Sequence, residues 1–275
     1  MLRALWSAAS GMIAQQTAVD VISHNLANVN TPGFKASRVE FGDVVTAAPG
    51  RAPVAVPPEW EGTVPWQGGG SRASGEPLPP PGAEGAGVRV VGTRRSFLPG
   101  QLEQTGQPLD LAINGPGFFR VELENGEELY TRSGSFHLGP DGGIYTAEGH
   151  RLVASGSYDR VGVGAAAIRV DPDGRLWVQE GDGVRELGQI TLAWFPNPAG
   201  LQAVGGGLYR ETEASGAPET TGEAGEIWQG YLERANVQVV EEMVGLILAQ
   251  RAYEMNSKVV QAADDMLGMA NNLRR

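Results

Sequence analysis

The sequence predicts an α+β fold, with N- and C-terminal helices that pair as an α-helical coiled coil and a central antiparallel β-rich domain. Apolar residues recur in steps of three and four at both ends of the chain, while short β-like runs alternate with turn signals in the middle. Between them lies a Pro/Gly-rich stretch that has no helical or strand period. The predicted organisation is an N-terminal helix (1–34), an extended Pro/Gly-rich arm or linker (35–87), a β-rich outer domain (88–227) and a C-terminal helix (228–275).

The N-terminal helix carries an apolar seam. Alternating steps of three and four stay on one side of a helix, and here six of eight positions are apolar: Leu2, Leu5, Ala9, Met12, Gln16, Val19, Ser23 and Leu26. The helix should end near residues 29–30, because Pro32 pushes Thr31 out of the helical region and Gly33 permits a turn.

The C-terminal segment has a wider apolar face. The same rule gives a first row of Leu232, Asn236, Val239, Met243, Leu246, Gln250, Tyr253, Ser257, Val260, Asp264 and Leu267. A second row consists of Val240, Val244, Ile247, Leu248, Ala252, Met255, Val259, Ala262 and Met266. One partner helix cannot cover both rows, so the face either docks on a globular core or is buried against other copies of the chain.

The middle of the chain reads as β structure. Seven β-like runs are predicted, at residues 88–91, 118–123, 129–132, 144–146, 168–170, 176–179 and 189–195. Hairpin turns are predicted at Asn125-Gly126, Asp141-Gly142 and Asp173-Gly174, where the backbone needs a positive φ. The arm holds nine prolines between residues 47 and 87, and Trp60 and Trp66 are the only aromatic side chains of that stretch.

Composition excludes several classes of function. A net charge of -11 makes nucleic acid an improbable partner, since phosphate binding needs clustered Lys and Arg. The chain has no Cys, its three His lack ligand spacing, and the adjacent carboxylates Glu241-Glu242 diverge by about 100° on a helix. No catalytic residue, cofactor or metal ligand is therefore predicted, nor is a Sec-type signal peptide or a membrane-spanning segment.

Specific motifs accumulate at the two ends. Residues 23–35 (SHNLANVNTPGFK), 229–237 (QGYLERANV) and 250–258 (QRAYEMNSK) resemble the N- and C-terminal signatures of the bacterial flagellar rod and hook proteins. Residues 112–119 (AINGPGFF) and 130–136 (YTRSGSF) extend the resemblance into the β domain of rod proteins, and residues 251–258 (RAYEMNSK) favour the distal rod over the proximal rod or the hook. Ala235 departs from the Ser usual in the family, and the arm looks longer than usual.

The resemblance implies a structural subunit of the bacterial flagellar basal body that polymerises into the distal rod, a drive shaft transmitting torque around the export channel. The paired helices would line the inner tube, and the β domain would form its outer wall. The implied partners are other copies of the chain, proximal rod and hook proteins, ring proteins around the rod where present, and the flagellar export apparatus. The implied location is the basal body, reached through the flagellar type III apparatus without a cleaved signal peptide.

Candidate assembly and helix-packing residues follow from the motifs and seams. We expect Asn25, Asn28 and Thr31 to bond the backbone where the first helix ends, Gly33 to turn the chain so that Phe34 packs, and Asn236 to cap the last helix. Glu242, Arg251, Tyr253 and Asn256 are predicted polar contacts within the tube. The remaining packing candidates are Leu5, Met12, Val19, Leu26, Tyr231, Met243, Leu246, Val260 and Leu267.

Two alternatives stay open at this point. A proximal rod or hook subunit of the same family would share the terminal helices. A secreted β-domain binding module with an oligomerising stalk would instead bind sugar and form closed oligomers. The helical ends are also expected to be weakly ordered in the monomer and to fold on assembly.

Overall fold

The computed structural model describes residues 2–46, 84–155, 168–180, 183–220 and 224–272. Most of the predicted arm, including Trp60 and Trp66, lies outside these residues. The described parts confirm the α+β class, with one helix at each end and β structure between them.

The helices are α1, Leu2–Ala27, and α2, Val239–Asn272. Helix α1 ends close to the predicted position. The amide of Asn28 still bonds the carbonyl of His24 at 3.2 Å, and Gly33 then reverses the chain with a φ of 69°. A positive φ is strained for residues with a Cβ, so glycine is needed at this turn.

Six of the seven predicted β-like runs lie on strands, whereas the run at 189–195 is divided between the end of one strand and a short second one. The eighteen described strands include ten that no β-like run predicts, among them one of ten residues. In chain order they are β1 Ser37–Thr46, β2 Glu84–Arg95, β3 Leu102–Gln104, β4 Leu111–Asn114, β5 Phe118–Glu122, β6 Glu128–Thr131, β7 Phe136–Leu138, β8 Ile144–Thr146, β9 Arg151–Leu152, β10 Ala154–Ser155, β11 Ile168–Val170, β12 Arg175–Glu180, β13 Gly183–Ile190, β14 Leu192–Ala193, β15 Gln202–Gly205, β16 Leu208–Arg210, β17 Glu226–Gln229 and β18 Tyr231–Glu233.

The central strands form antiparallel sheets, as predicted. The largest has the order β15-β16-β6-β5-β9-β8-β7, with β14 also pairing β5, and a four-stranded sheet has the order β10-β13-β12-β11. Strands β17 and β18 return late in the chain to pair antiparallel with β4 and β3. The segment before α2 is therefore bonded to the start of the β domain.

The three predicted hairpin turns are confirmed. Gly126 joins β5 to β6, Gly142 joins β7 to β8 and Gly174 joins β11 to β12, with φ values of 81°, 83° and 83°. Each glycine amide bonds the carbonyl three residues earlier, which closes a tight turn.

By internal contacts the chain forms two compact units. The first comprises residues 1–17, 40–92 and 249–275, and the second comprises residues 18–39 and 93–248. In the first unit, β2 lies against α1, where the amide of Val88 bonds the hydroxyl of Ser10 at 3.3 Å. In the second unit, the sheets enclose an apolar core around Phe119, Val121 and Leu129, all with no exposed surface.

Strands β1 and β2 pair with each other, so the described ends of the predicted arm are strands. The sequence predicts β structure only at residues 88–91 of this ribbon. In β1, the charged residues Arg38 and Glu40 alternate with Val39 and Phe41, a strand period that the prediction did not use. The predicted domain boundaries stay predictions.

Candidate assembly surface and the polar junction

The two terminal helices touch in an antiparallel arrangement within the second unit. The side-chain amide of Asn25 donates to Glu242 Oε1 at 3.3 Å. One turn further along α2, a Cβ added to Gly245 would lie 3.4 Å from the side chain of Ile22. Residue numbers thus rise along α1 as they fall along α2. In the first unit, a Cβ on Gly11 would come within 2.8 Å of the Asn256 amide. Glycine therefore permits the close approach there.

Small residues form the most buried line of α1. Ala8, Gly11, Ala14 and Ala18 are buried, and Asn25 continues their three- and four-residue spacing. The apolar seam predicted for this helix is a different line. Several of its residues follow a residue of the buried line by one position, which rotates the seam by about 100° around the helix axis. Within a single chain its packing candidates are half-buried: Leu5, Met12, Val19 and Leu26.

The side of α2 that faces away from these contacts is apolar and open. In the second unit, Val240 is 75% exposed, Ile247 56% and Leu248 64%, and Met243 and Val244 are about half exposed. At 100° per residue they cluster on the side opposite Glu242 and Gly245. In the first unit, the exposed large apolar side chains of the helices are Trp6, Ile13, Tyr253, Met255, Val259, Met266, Leu267 and Met269.

The other predicted packing residues divide between the two sides of α2. Leu246, Asn256 and Val260 are half-buried, whereas Arg251 is exposed and makes a 3.5 Å ion pair with Glu254. Tyr231 lies on β18, before α2, and its ring packs edge-on against Trp228 at 5.5 Å. Whether these residues meet another copy of the chain stays a prediction.

Glu242 is the polar member of the helix pair. Partial burial raises the pKa of its carboxyl above the usual value, although the hydrogen bond from Asn25 opposes the shift. A half-buried acid whose contact comes from a neutral amide tolerates protonation better than one in an ion pair.

The residues after α1 form a tightly bonded turn. The Asn28 side chain donates to the His24 carbonyl at 2.9 Å and accepts from the exposed Thr31 hydroxyl at 3.3 Å. Phe34 packs on the His24 ring with centroids 5.5 Å apart. A Cβ on Gly33 would lie 2.5 Å from the backbone of Arg132, so only glycine fits here.

Asn25 and Asn236 reach further than predicted. Asn25 accepts from the amide of Ser37 at 2.9 Å and donates to its carbonyl at 2.8 Å, holding the chain beyond the turn. The predicted N-cap at Asn236 is wrong. Its side chain accepts from the amide of Ala36 at 2.7 Å and donates to the carbonyl of Ser96 at 2.8 Å, while α2 begins three residues later.

A buried charged cluster, which we call the polar junction, consists of Lys35, Arg132 and Glu233. Lys35 Nζ donates to Glu233 Oε1 at 2.7 Å and to the carbonyl of Leu98 at 2.8 Å. The amide of Gly100 donates to the same carboxylate oxygen at 2.7 Å. The other oxygen lies 3.3 Å from Arg132 Nε as an ion pair without hydrogen-bond geometry.

Arg132 extends the polar junction into the β domain. Its terminal nitrogens donate to the carbonyls of Gly117 at 2.6 Å and Gly115 at 2.8 Å, and its guanidinium lies over the Phe118 ring. The main-chain carbonyl of Glu233 also accepts from the amide of Gly33 at 2.8 Å. The junction therefore joins the turn after α1, the strand before α2 and the β domain.

Two positive charges share one carboxylate in this buried site. Burial and the neighbouring Arg132 lower the pKa of Lys35 to about 8, against the opposing attraction of Glu233. Burial also lowers the pKa of Arg132. Arginine nevertheless keeps its charge at neutral pH.

The sequence holds only a partial signal for this cluster, which the prediction did not use. Lys35, Arg132 and Glu233 each lie inside a motif that carries the family resemblance, among glycines and apolar residues. A charge inside such a motif does not by itself indicate burial, since Arg234 and Arg251 lie in the same motifs and are exposed. The distance in sequence also hides which charges meet.

Two further features, a metal-binding cluster and a membrane-spanning helix, are missing among the described residues. There, no three His, Asp or Glu side chains are placed to hold a metal ion. Neither α1 nor α2, over its described length, combines the length and hydropathy needed to cross a membrane.

Comparison with known families matches the chain in three places. A model described as flagella basal body rod protein covers residues 5–35, and one described as flagellar hook protein FlgE/F/G D1 domain covers residues 112–191. The third, flagellar basal body rod FlgEFG protein C-terminal, covers residues 229–273. The matches include both helices, most of the β domain and all three residues of the polar junction.

Curated relatives extend the similarity along the whole chain. Flagellar basal-body rod protein FlgG of Borreliella burgdorferi is 40% identical over 283 residues, covering 100% of both chains. Its counterpart in Caulobacter vibrioides is 41% identical over 280 residues, covering 99% of this chain and 100% of that one. In Agrobacterium fabrum the values are 38% over 277 residues and 98% of both chains. Since these identities span almost every residue, this chain belongs to the family of flagellar basal-body rod proteins.

Proposed function

We propose that this chain is the repeating structural subunit of the distal flagellar rod, a tube that transmits torque and surrounds the export channel. The observation that carries the proposal is the apolar side of α2 left uncovered by α1. A face of this kind on a water-exposed helix indicates a protein partner. The names of the curated relatives describe rod proteins, which fits copies of the same chain as that partner.

The antiparallel contacts support a coiled-coil pair as the inner element of the subunit. Asn25 and Glu242 meet at one level of the pair, and Ile22 and Gly245 meet at the next. The pair then presents the exposed apolar row of α2 to neighbouring copies, and this row consists of Val240, Met243, Val244, Ile247 and Leu248. The predicted seam residues of α1 supply a second contact surface. Contacts between unlike surfaces that do not close on themselves generate a helical filament.

The remaining features of the proposal come from the family. The β domain forms the outer wall, proximal rod and hook proteins continue the tube at its two ends, and ring proteins surround it where they exist. The subunit reaches the basal body through the flagellar export apparatus. The terminal parts of its helices, away from the β domain, gain order as copies assemble.

Negative-stain electron microscopy of the concentrated chain tests the proposal. We expect straight tubes from the native chain and from Gln202→Asp, which adds a charge to an exposed position of β15. Val244→Asp adds the same charge to the exposed apolar row of α2 and should give monomers only. Tubes from Val244→Asp that match the native ones would overturn the proposed contact.

A hook or proximal rod subunit is the second candidate, because the family model over residues 112–191 is described for hook as well as rod proteins. Tube shape separates a hook subunit from a rod subunit. A hook subunit gives curved or supercoiled tubes, whereas a distal rod subunit gives straight ones.

A further inference from the structure

Stability alone does not explain why three charged side chains are buried together in the polar junction. Lys35, Arg132 and Glu233 are each 2% exposed or less, so all three charges have lost their hydration. Replacing a buried ion cluster by apolar residues of similar size is often neutral or stabilising, because desolvation offsets the Coulomb attraction. A function other than stability would account for the charges at this site.

We infer that Lys35, Arg132 and Glu233 are positioning residues that fix the direction in which the nearby ends of α1 and α2 leave the β domain. The inference rests on the proposed function, because a defined direction matters where each copy must present its apolar row at the same angle. It concerns residues 18–27 of α1 and 239–248 of α2, which belong to the same unit as the β domain.

The geometry supports a directional role. The chain enters the β domain at residues 33–37 and leaves it at 233–236, and the two passages are bonded side by side. The Gly33 amide bonds the Glu233 carbonyl at 2.8 Å, and the Asn236 side chain bonds the Ala36 amide at 2.7 Å. Apolar surfaces can slide and tilt at small cost, whereas hydrogen bonds weaken steeply with angle.

The charged groups connect this pair of passages to the sheet. Arg132 follows β6, holds the Gly115 and Gly117 carbonyls and contacts Glu233. Lys35 links the same carboxylate to the segment at Leu98. Tilting the passages relative to the sheet would separate buried opposite charges, which makes the observed direction the favoured one.

Distance measurements between two spin labels test the inference in the unassembled chain. The chain has no Cys, so Leu248→Cys on α2 and Glu122→Cys on β5 supply the only two thiols. Both positions are exposed, and both lie in the second unit. Leu248 is about 14 Å along the helix from Val239, so a tilt of about 20° moves the label by roughly 5 Å.

The decisive variant combines Lys35→Met, Arg132→Met and Glu233→Leu. We expect it to remain folded, with a label distance that broadens or shifts by several ångströms relative to the native junction. The control is Leu176→Ala, which opens a cavity in the β core at a position with no exposed surface. It should lower the melting temperature and leave the label distance unchanged.

Two results would overturn the inference. An unchanged, narrow distance in the triple variant would show that the charges are not needed to set the direction, because the bonds of Gly33 and Asn236 remain in that variant. Unfolding of the triple variant would show that the charges are needed for stability. Failure of the proposed function appears separately, as the absence of tubes from the native unlabelled chain, and leaves the distance measurement valid.

Discussion

The β domain covers most of its large apolar side chains, whereas each terminal helix leaves several of its own exposed. Phe119, Leu129 and Leu176 have no exposed surface, while Ile247 and Leu248 on α2 are more than half exposed. The same hydrophobic effect acts on both regions. In the β domain it stabilises one chain, and in the helices it remains available for association with other copies.

The largest expected effect separates the two sides of α2. Ile247→Asp changes an exposed residue, so we expect it to abolish tube formation and alter monomer stability by less than about 0.5 kcal/mol. Leu246→Asp and Val260→Asp change half-buried positions and should abolish tubes while also loosening the helix pair. Sedimentation and circular dichroism of each variant measure both effects. A monomer equally disturbed by Ile247→Asp would contradict the division.

A change in the β core should produce the opposite outcome. Phe119→Ala removes a buried ring that packs edge-on against Phe136 at 5.2 Å, so unfolding should become easier by about 3–5 kcal/mol. Denaturant titration of the chain, monitored on the β signal, gives the value. At concentrations where it stays folded, this variant should still form tubes, because its exposed helical row is intact. Loss of tubes from the folded variant would couple the two regions more closely than we propose.

Two glycine substitutions test how closely the turn after α1 packs against the β domain. Gly33→Ala places a Cβ at positive φ against the backbone of Arg132 and should cost about 3 kcal/mol. The matched control is Gly126→Ala, which has a similar positive φ but open space around it. Its cost should be only about 1 kcal/mol. Equal costs measured by thermal unfolding would mean that the close approach at Gly33 is unimportant.

The smallest expected effect is a pH dependence of the polar junction. The pKa of Lys35 is about 8 in the folded chain and 10.5 for an ordinary lysine, so the unfolded chain binds its proton more tightly. Stability should therefore rise as the pH increases from 8 to 10, by up to about 2 kcal/mol from this group. Above pH 10 the buried Tyr130, whose pKa is raised to about 12, acts in the opposite direction.

Lys35→Met provides the control for this pH dependence, since it removes the titrating amine and retains the aliphatic stem. Its stability measured by denaturant titration should be flatter between pH 8 and 10 than that of the native chain. The same rise in both chains would assign the effect to another group.

Local signals in the sequence predicted the two helices, the hairpin turns and eight of the eighteen described strands, and they did not predict which segments meet. The turns at Gly126, Gly142 and Gly174 were predictable because a type of residue and a backbone conformation are linked within two positions. The buried line of small residues on α1 was not predictable in this way. The heptad rule selected the large apolar residues, while the contact at Gly11 required small ones.

Asn236 and Glu233 show the same limit at the polar junction. Asn at the start of a helix favours a cap, but the segments at residues 36 and 96 lie close enough to bond its side chain instead. Glu233 could be recognised as a charged residue in a motif, but its partners lie about 100 and 200 residues away in the chain.

The sequence by itself determined the two amphipathic helices, the antiparallel β domain, the tight glycine turns and the family, because these depend on residue type, period and motif. The tertiary structure decided which side of each helix is covered, where Asn25 and Asn236 bond, and which buried charges meet. Those outcomes depend on distances between segments far apart in the chain, and no local pattern encodes a distance.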